Sequence, residues 1–203
     1  MNTLVRPPRL LQQVYPGALW RMPATDKTIY LTFDDGPVPG VTTEALAVLK
    51  QFGVHATFFC VGDNVQKHPE VFAQLLAEGH RTGNHTFNHF DGWTHTRMSY
   101  LRNVQQCAGV VQSNLFRPPY GRMRRSQHHA IRRHYKVVMW DVLTCDFNTK
   151  LEGEACLNLA LLYSRPGSIV VFHDSLKAAP RMLHALPRYI ETMLQEGWKF
   201  GLL

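Results

Sequence analysis

No two cysteines of this chain are spaced as C-x-x-C, and Cys60, Cys107, Cys145 and Cys156 are too few in 203 residues to form a disulfide framework. Free, buried thiols are expected. No apolar stretch approaches the roughly 18 residues that a membrane span needs. Near the N-terminus, Leu10, Leu11, Val14, Tyr15, Ala18, Leu19 and Trp20 are interrupted by Gln12, Gln13, Pro16 and Gly17, so the unbroken apolar core of a signal peptide is missing. A cytoplasmic location without a transmembrane span is favoured. There is also no repeat with a period of roughly 20 to 50 residues and no low-complexity run, which excludes a solenoid array.

What remains fits one globular unit. The chain is 45% hydrophobic, enough for a full core at this length, and its 22 Lys+Arg against 15 Asp+Glu leave a net charge of +7. Positive charge attracts anionic polymers and membrane surfaces. The basic run Arg122, Arg124, Arg125, Arg132, Arg133 and Lys136, however, has no interleaved aromatic platform, so it reads as a solvated helix face and no nucleic-acid partner is expected. Peripheral contact with a membrane stays open, and a monomer is expected.

Thr28 to Phe33 is β-branched and aromatic, without glycine or proline, and predicts a buried strand that stops at Gly36-Pro37. Asp34 and Asp35 therefore sit where a strand runs out into a loop. Adjacent like charges are costly unless a cation or hydrogen bonds compensate them. Beyond them, Thr42 and Thr43 are candidate caps of a helix ending at Gly53. Ala56–Val61, His80–Asn84, Lys136–Asp141 and Ser168–Phe172 read as further strands, Leu115-Phe116-Arg117 is a short run leading into Pro118-Pro119, and Trp198–Phe200 adds a last strand. Between them lie helices near 69–78, 99–112, 126–135, 153–163 and 180–196, the last of which Pro187 should start late or kink. About seven apolar strands alternating with helices predict an α/β fold with a parallel sheet covered on both sides.

Polar clusters follow these strands. His85 and His89, four apart in Asn84–His89, would share one face of a helical turn and, with Asp35, make a two-histidine, one-carboxylate set suited to a divalent ion. Arg117-Pro118-Pro119-Tyr120-Gly121 is a stiff loop able to fix the Tyr120 N–H as a donor, as oxyanion stabilisation requires. Asp141 and Asp146 flank a third cluster, and His173-Asp174 ends the apolar run Val170–Phe172. All fall at the carboxyl ends of predicted strands, the rim where parallel barrels gather their chemistry.

The segments TFDDGP, HTFNH, RPPYG, WDVLTCDF and VVFHD resemble, in order, the motifs of the polysaccharide deacetylase family, also called carbohydrate esterase family four or the nodulation-protein-B homology domain. The resemblance covers about Thr28 to Leu203. It implies a distorted (β/α)7 barrel for residues 28–203, with 1–27 as an extension packing on it, and metal-dependent removal of acyl groups, usually acetyl from N-acetylglucosamine units of a glycan. It implies Asp34 as catalytic base, His173 as catalytic acid, and Asp35, His85 and His89 as ligands of one divalent ion, zinc first and cobalt, manganese or nickel as alternatives. Arg117 would pair with the base, Asp146 would orient His173, and Tyr120 would lend its backbone N–H. Tyr120, Pro118 and Phe147 would meet the sugar. Two positions depart from the family pattern: Leu143 stands where Asp is frequent, and Phe147 where Trp is usual. O-acetyl esterase action on xylan-type glycan, deformylation of a lipid-linked amino sugar and non-catalytic binding of an anionic polymer are the competing functions.

Overall fold

The computed structural model describes residues 5–23 and 26–203, so 1–4 and 24–25 of the expected N-terminal extension lie outside it. The chain runs through α1 (Arg9–Gln12), β1 (Thr28–Asp34), α2 (Val41–Gln51), β2 (Thr57–Cys60), α3 (Gly62–Lys67), α4 (Pro69–Ala77) and β3 (Arg81–Asn84). It continues through α5 (Arg97–Ala108), β4 (Leu115–Phe116), α6 (Arg125–Ile131), β5 (Lys136–Val137), β6 (Val142–Leu143), α7 (Gly153–Tyr163), β7 (Ile169–His173), α8 (Ala179–Gln195) and β8 (Lys199–Gly201). No helix among the described residues is long and apolar enough to cross a membrane. All four cysteines are free and buried, as expected.

Strand β1 is central. Ile29, Leu31, Thr32 and Phe33 are wholly buried, because helices cover one face and the barrel interior the other. Phe33 stacks on Phe58 at 4.7 Å and on Phe172 at 6.1 Å, tying β1 to β2 and β7. The parallel sheet has the order β5-β4-β3-β2-β1-β7-β6, with β8 pairing the start of β1. β5 and β6 are thus its two edges, yet only residues 138–141 separate them in sequence. Such a link spans at most about 18 Å. The sheet must therefore curl until its edges come within that distance, which gives the expected distorted parallel barrel. Residues 19–22 lie along the seam: the Leu19 N–H donates to Val137 O (2.8 Å), Met139 N–H to Leu19 O (2.7 Å) and Met22 N–H to Gly167 O (2.9 Å).

Three local expectations change. The strand expected over Lys136–Asp141 ends at Val137, because the carbonyls of Val138 and Met139 accept from the Arg117 guanidinium, at 3.4 and 3.0 Å, and β6 begins only beyond the expected range. Thr42 is not a cap: α2 starts at Val41, and the Thr43 hydroxyl accepts from the Gly40 N–H while Thr42 turns inward. Helix α8 does not start late at Pro187, which lies inside it. The missing proline N–H there removes one helical bond, and the buried stripe of Met182, Leu186, Tyr189, Ile190 and Met193 holds both halves to the core.

Candidate active site

Asp34 is the last residue of β1, in register with His173 at the end of the neighbouring β7. This pairing sets two functional side chains at the same height on the rim. Asp34 is 5% exposed, and its carboxylate accepts from the wholly buried Arg117 at 2.6 Å. Arg117 also donates to the Thr32 hydroxyl at 2.8 Å, and its guanidinium lies 4.1 Å from the centre of the Phe59 ring. Burial lowers the Arg117 pKa, and the Asp34 charge offsets only part of that. With Leu143 where a carboxylate is frequent, Asp34 and these neutral acceptors supply the partners of Arg117.

The backbone of the same arginine prepares a second group. The Arg117 carbonyl lies 2.8 Å from His85 Nδ1. A carbonyl only accepts, so Nδ1 carries the proton and Nε2 a lone pair. Burial lowers the His85 pKa to about 4, against the pull of Asp34 and Asp35, so the ring is neutral at pH 7. Its Nε2 faces Asp35 Oδ1 at 3.8 Å, and His89 Nε2 faces the same oxygen at 3.2 Å. One ligand atom from each residue lies within 4.8 Å of the other two. Burial opposes ionisation of Asp35, but His89 and then His173 and His85 hold its carboxyl well below the usual carboxylate range. An ionised carboxylate facing an imidazole lone pair fits a divalent cation and disfavours an empty apolar contact.

The histidines do not share a helical turn, contrary to the spacing argument. Thr86 and His89 have positive φ, 64° and 54°, so the segment bends and the two rings close to 5.1 Å. Side chains hold the bend: Asn84 accepts from the Thr86 N–H, Thr86 from Phe90, and the buried Asn103 from both Phe87 and Asn88. The remaining non-glycine residues of positive φ among the described residues are Asp35, Tyr120 and Cys145. Each such position costs of order 1–3 kcal/mol. All lie within one residue of a group discussed here, so the strain is concentrated at the site.

His173 Nδ1 lies 2.7 Å from Asp146 Oδ1, while the other carboxylate oxygen accepts from the His173 backbone N–H, also at 2.7 Å. Burial works against the imidazolium, but Asp146, followed by Asp35 and Asp34, raises the His173 pKa to about 9. Phe147 packs edge-on at 5.1 Å from His173 and keeps an aromatic wall there. Tyr120, at φ 60°, is 61% exposed, and among the described residues its N–H finds no acceptor. Pro118, expected to meet substrate, is buried instead; its carbonyl accepts from the Gly121 N–H at 3.0 Å, so it shapes the loop from behind.

Sequence reasoning gave Asp174 and Thr42 no part in the site. The buried Asp174 accepts from the Gly36 N–H (3.0 Å) and the Thr42 hydroxyl (2.6 Å), bracing the loop that carries Asp35. Burial raises its pKa to about 7, against the Thr42 bond. The space is tight, since a Cβ on Gly36 would stand 1.9 Å from the Asp174 carboxylate. The available signal was its place directly after His173 at a strand end. Thr42→Val should destabilise the fold by about 1–3 kcal/mol, because it also orphans the Val38 N–H bonded to the hydroxyl at 2.7 Å. Urea unfolding measures this, and a change below about 0.5 kcal/mol would show that the brace carries no weight.

A curled parallel barrel with a paired aspartate, an oriented histidine and a two-histidine, one-carboxylate cluster on its carboxyl-end rim defines a hydrolase built for polarised carbonyl substrates. The chain belongs to the polysaccharide deacetylase family, enzymes that act on amide bonds; the family's model matches residues 21–138. It is 30% identical to a peptidoglycan-N-acetylglucosamine deacetylase of Bacillus cereus, over 89% of this chain and 88% of that one. A chitooligosaccharide deacetylase of Azorhizobium caulinodans is 32% identical over 78% and 79% of the two chains. Among solved structures, a peptidoglycan N-acetylglucosamine deacetylase in complex with 4-naphthalen-1-yl-N-oxidanyl-benzamide superposes with a TM-score of 0.89 at 27% identity, covering 97% of this chain and 95% of that one.

Proposed function

We propose that this deacetylase is metal-dependent and removes N-acetyl groups from N-acetylglucosamine-type units of a peptidoglycan- or chitooligosaccharide-like glycan, releasing acetate. The observation that carries it is the convergence of Asp35, His85 and His89 beside an Asp34 and a His173 set at one height on neighbouring strands. Asp35, His85 and His89 would hold the ion, for which nitrogen and oxygen donors favour zinc, with cobalt, manganese or nickel as alternatives. When bound there, such an ion would supply Lewis acidity, which would bring the pKa of water toward neutrality and polarise the acetyl carbonyl.

The remaining work falls to side chains and one amide. Asp34, oriented by Arg117, takes a proton from the attacking water as the new C–O bond forms. The Tyr120 N–H donates to the oxyanion. His173, held in one tautomer by Asp146, gives its proton to the sugar nitrogen as the C–N bond breaks, leaving a free amine and acetate. An acid must be protonated to act, so activity should fall as pH rises through the His173 pKa. Asp146→Asn removes the leading charge that raises this pKa, so the alkaline limb of the kcat profile should move to lower pH by roughly one to two pH units. A limb that stays in place would remove Asp146 from its orienting role.

The function is tested by chelating the protein, reloading it with zinc, cobalt, manganese or nickel, and scoring acetate or formate release from a glycan panel. Acetate from N-acetylated amino-sugar oligomers, lost on chelation and restored on reloading, is expected. Acetate from O-acetylated xylan alone would identify an esterase, and formate from N-formylated lipid-linked sugar a deformylase; either would replace this proposal.

A further inference from the structure

Trp93 leaves 55% of its surface in solvent and is nevertheless pinned. Its indole N–H donates to Met123 O at 3.2 Å, its backbone N–H to the Asp91 carboxylate at 2.9 Å, and its carbonyl accepts from Arg124 at 2.9 Å. The wholly buried Gln127 braces the two segments from below, donating to Gly92 O at 2.9 Å and accepting from Arg124 N–H at 2.7 Å. Apolar burial does not fix this ring; polar bonds do, and its surface stays wet. A preordered aromatic left open to water has already lost the conformational freedom that binding would otherwise remove.

The ring also connects to the site. Arg122 holds its guanidinium 4.9 Å from the centre of the Trp93 ring and 6.0 Å from that of Tyr120, whose ring lies 4.7 Å from His89. A continuous strip therefore leads from the ligand cluster outward. Along it, the Arg122 guanidinium uses one nitrogen on Asp91 at 3.0 Å and, among the described residues, makes no other hydrogen bond. A guanidinium has five donors in a planar fork that matches a carboxylate. Asp91 offsets one positive charge, while Arg124 beside it adds another. The basic run thus has at its start the aromatic company that the sequence spacing hid.

We propose that the Tyr120, Arg122 and Trp93 strip is a subsite for a neighbouring sugar unit of the same glycan strand, one that carries a carboxylate. The C–H face of the sugar ring covers Trp93 and removes apolar surface from water, and the acid group takes the free edge of Arg122. This rests on the glycan deacetylase function proposed above and narrows it to strands with acidic substituents.

The test compares two tetramers of equal length, neutral N-acetylchitotetraose and a peptidoglycan glycan strand with free lactyl carboxylates, together with the chitin dimer. Wild type should prefer the acidic tetramer in kcat/KM. Arg122→Gln should reduce the acidic-to-neutral ratio about tenfold, with part regained in Arg122→Lys. Trp93→Ala should reduce the tetramer-to-dimer ratio about tenfold, with part regained in Trp93→Phe. Unchanged ratios in both Arg122→Gln and Trp93→Ala would overturn the subsite. Binding is read separately in the Asp34→Asn protein by tryptophan emission, where the change on adding acidic tetramer should vanish when Trp93 is also replaced by Phe. That signal without turnover of any substrate in wild type would sink the deacetylase function and keep the subsite; turnover with unchanged ratios would do the reverse.

Discussion

Asp34→Asn should lower kcat by about 10²–10⁴-fold while the cation remains bound. Asparagine keeps the shape and one acceptor for Arg117 but cannot take a proton from water at neutral pH. Nothing in the exchange touches Asp35, His85 or His89, so metal content per protein should be unchanged. His85→Ala is the opposite case. It removes a lone pair that the Arg117 carbonyl aims by holding the other ring nitrogen at 2.8 Å. Loss of an outer-shell partner alone costs metal sites about 10–100-fold in affinity, so loss of a ligand should cost at least about 100-fold. Metal analysis after dialysis, beside steady-state kinetics, separates the two variants. An Asp34→Asn enzyme with full turnover would remove Asp34 from its role as base, and a His85→Ala enzyme with full metal would dissolve the cluster.

Residues whose neighbours in space are also neighbours in sequence were legible beforehand. Strand β1 announces itself as an unbroken β-branched and aromatic run, α7 has the limits expected, and each candidate group falls at a strand end because an apolar run stops just before it. Long-range polar contacts were hidden. The break between β5 and β6 depends on Arg117 capturing two backbone carbonyls 21 and 22 positions further on, and no local pattern announces a side chain competing with a strand partner. The bend at His85 and His89 depends on positive φ at Thr86 and His89, so a four-residue spacing suggested helix where the backbone turns otherwise. Asp174 was passed over because an aspartate following a histidine looks like a solvated loop residue until Gly36 and Thr42 are seen against it. Asp35, His85 and His89 converge in spite of the wrong local geometry, because convergence requires only that the two loops carrying them share a rim.

Arg117→Ala should cost about 3–5 kcal/mol of folding stability, unusually much for one side chain. The guanidinium is wholly buried, so the loss is not screened by solvent. Its removal leaves the Asp34 carboxylate without its 2.6 Å partner, strips donors from the carbonyls of Val138 and Met139 at the barrel seam, and empties the space over Phe59. A paired replacement tests the cause. Most of the cost comes from leaving one charge unpaired, so Arg117→Met combined with Asp34→Asn should be less destabilised than the sum of the two single variants, by about 1–3 kcal/mol. Urea unfolding of all variants at one fixed metal concentration measures that coupling. Strict additivity would mean that the arginine serves only as packing, and the ion pair would then have no claim to hold the base in place.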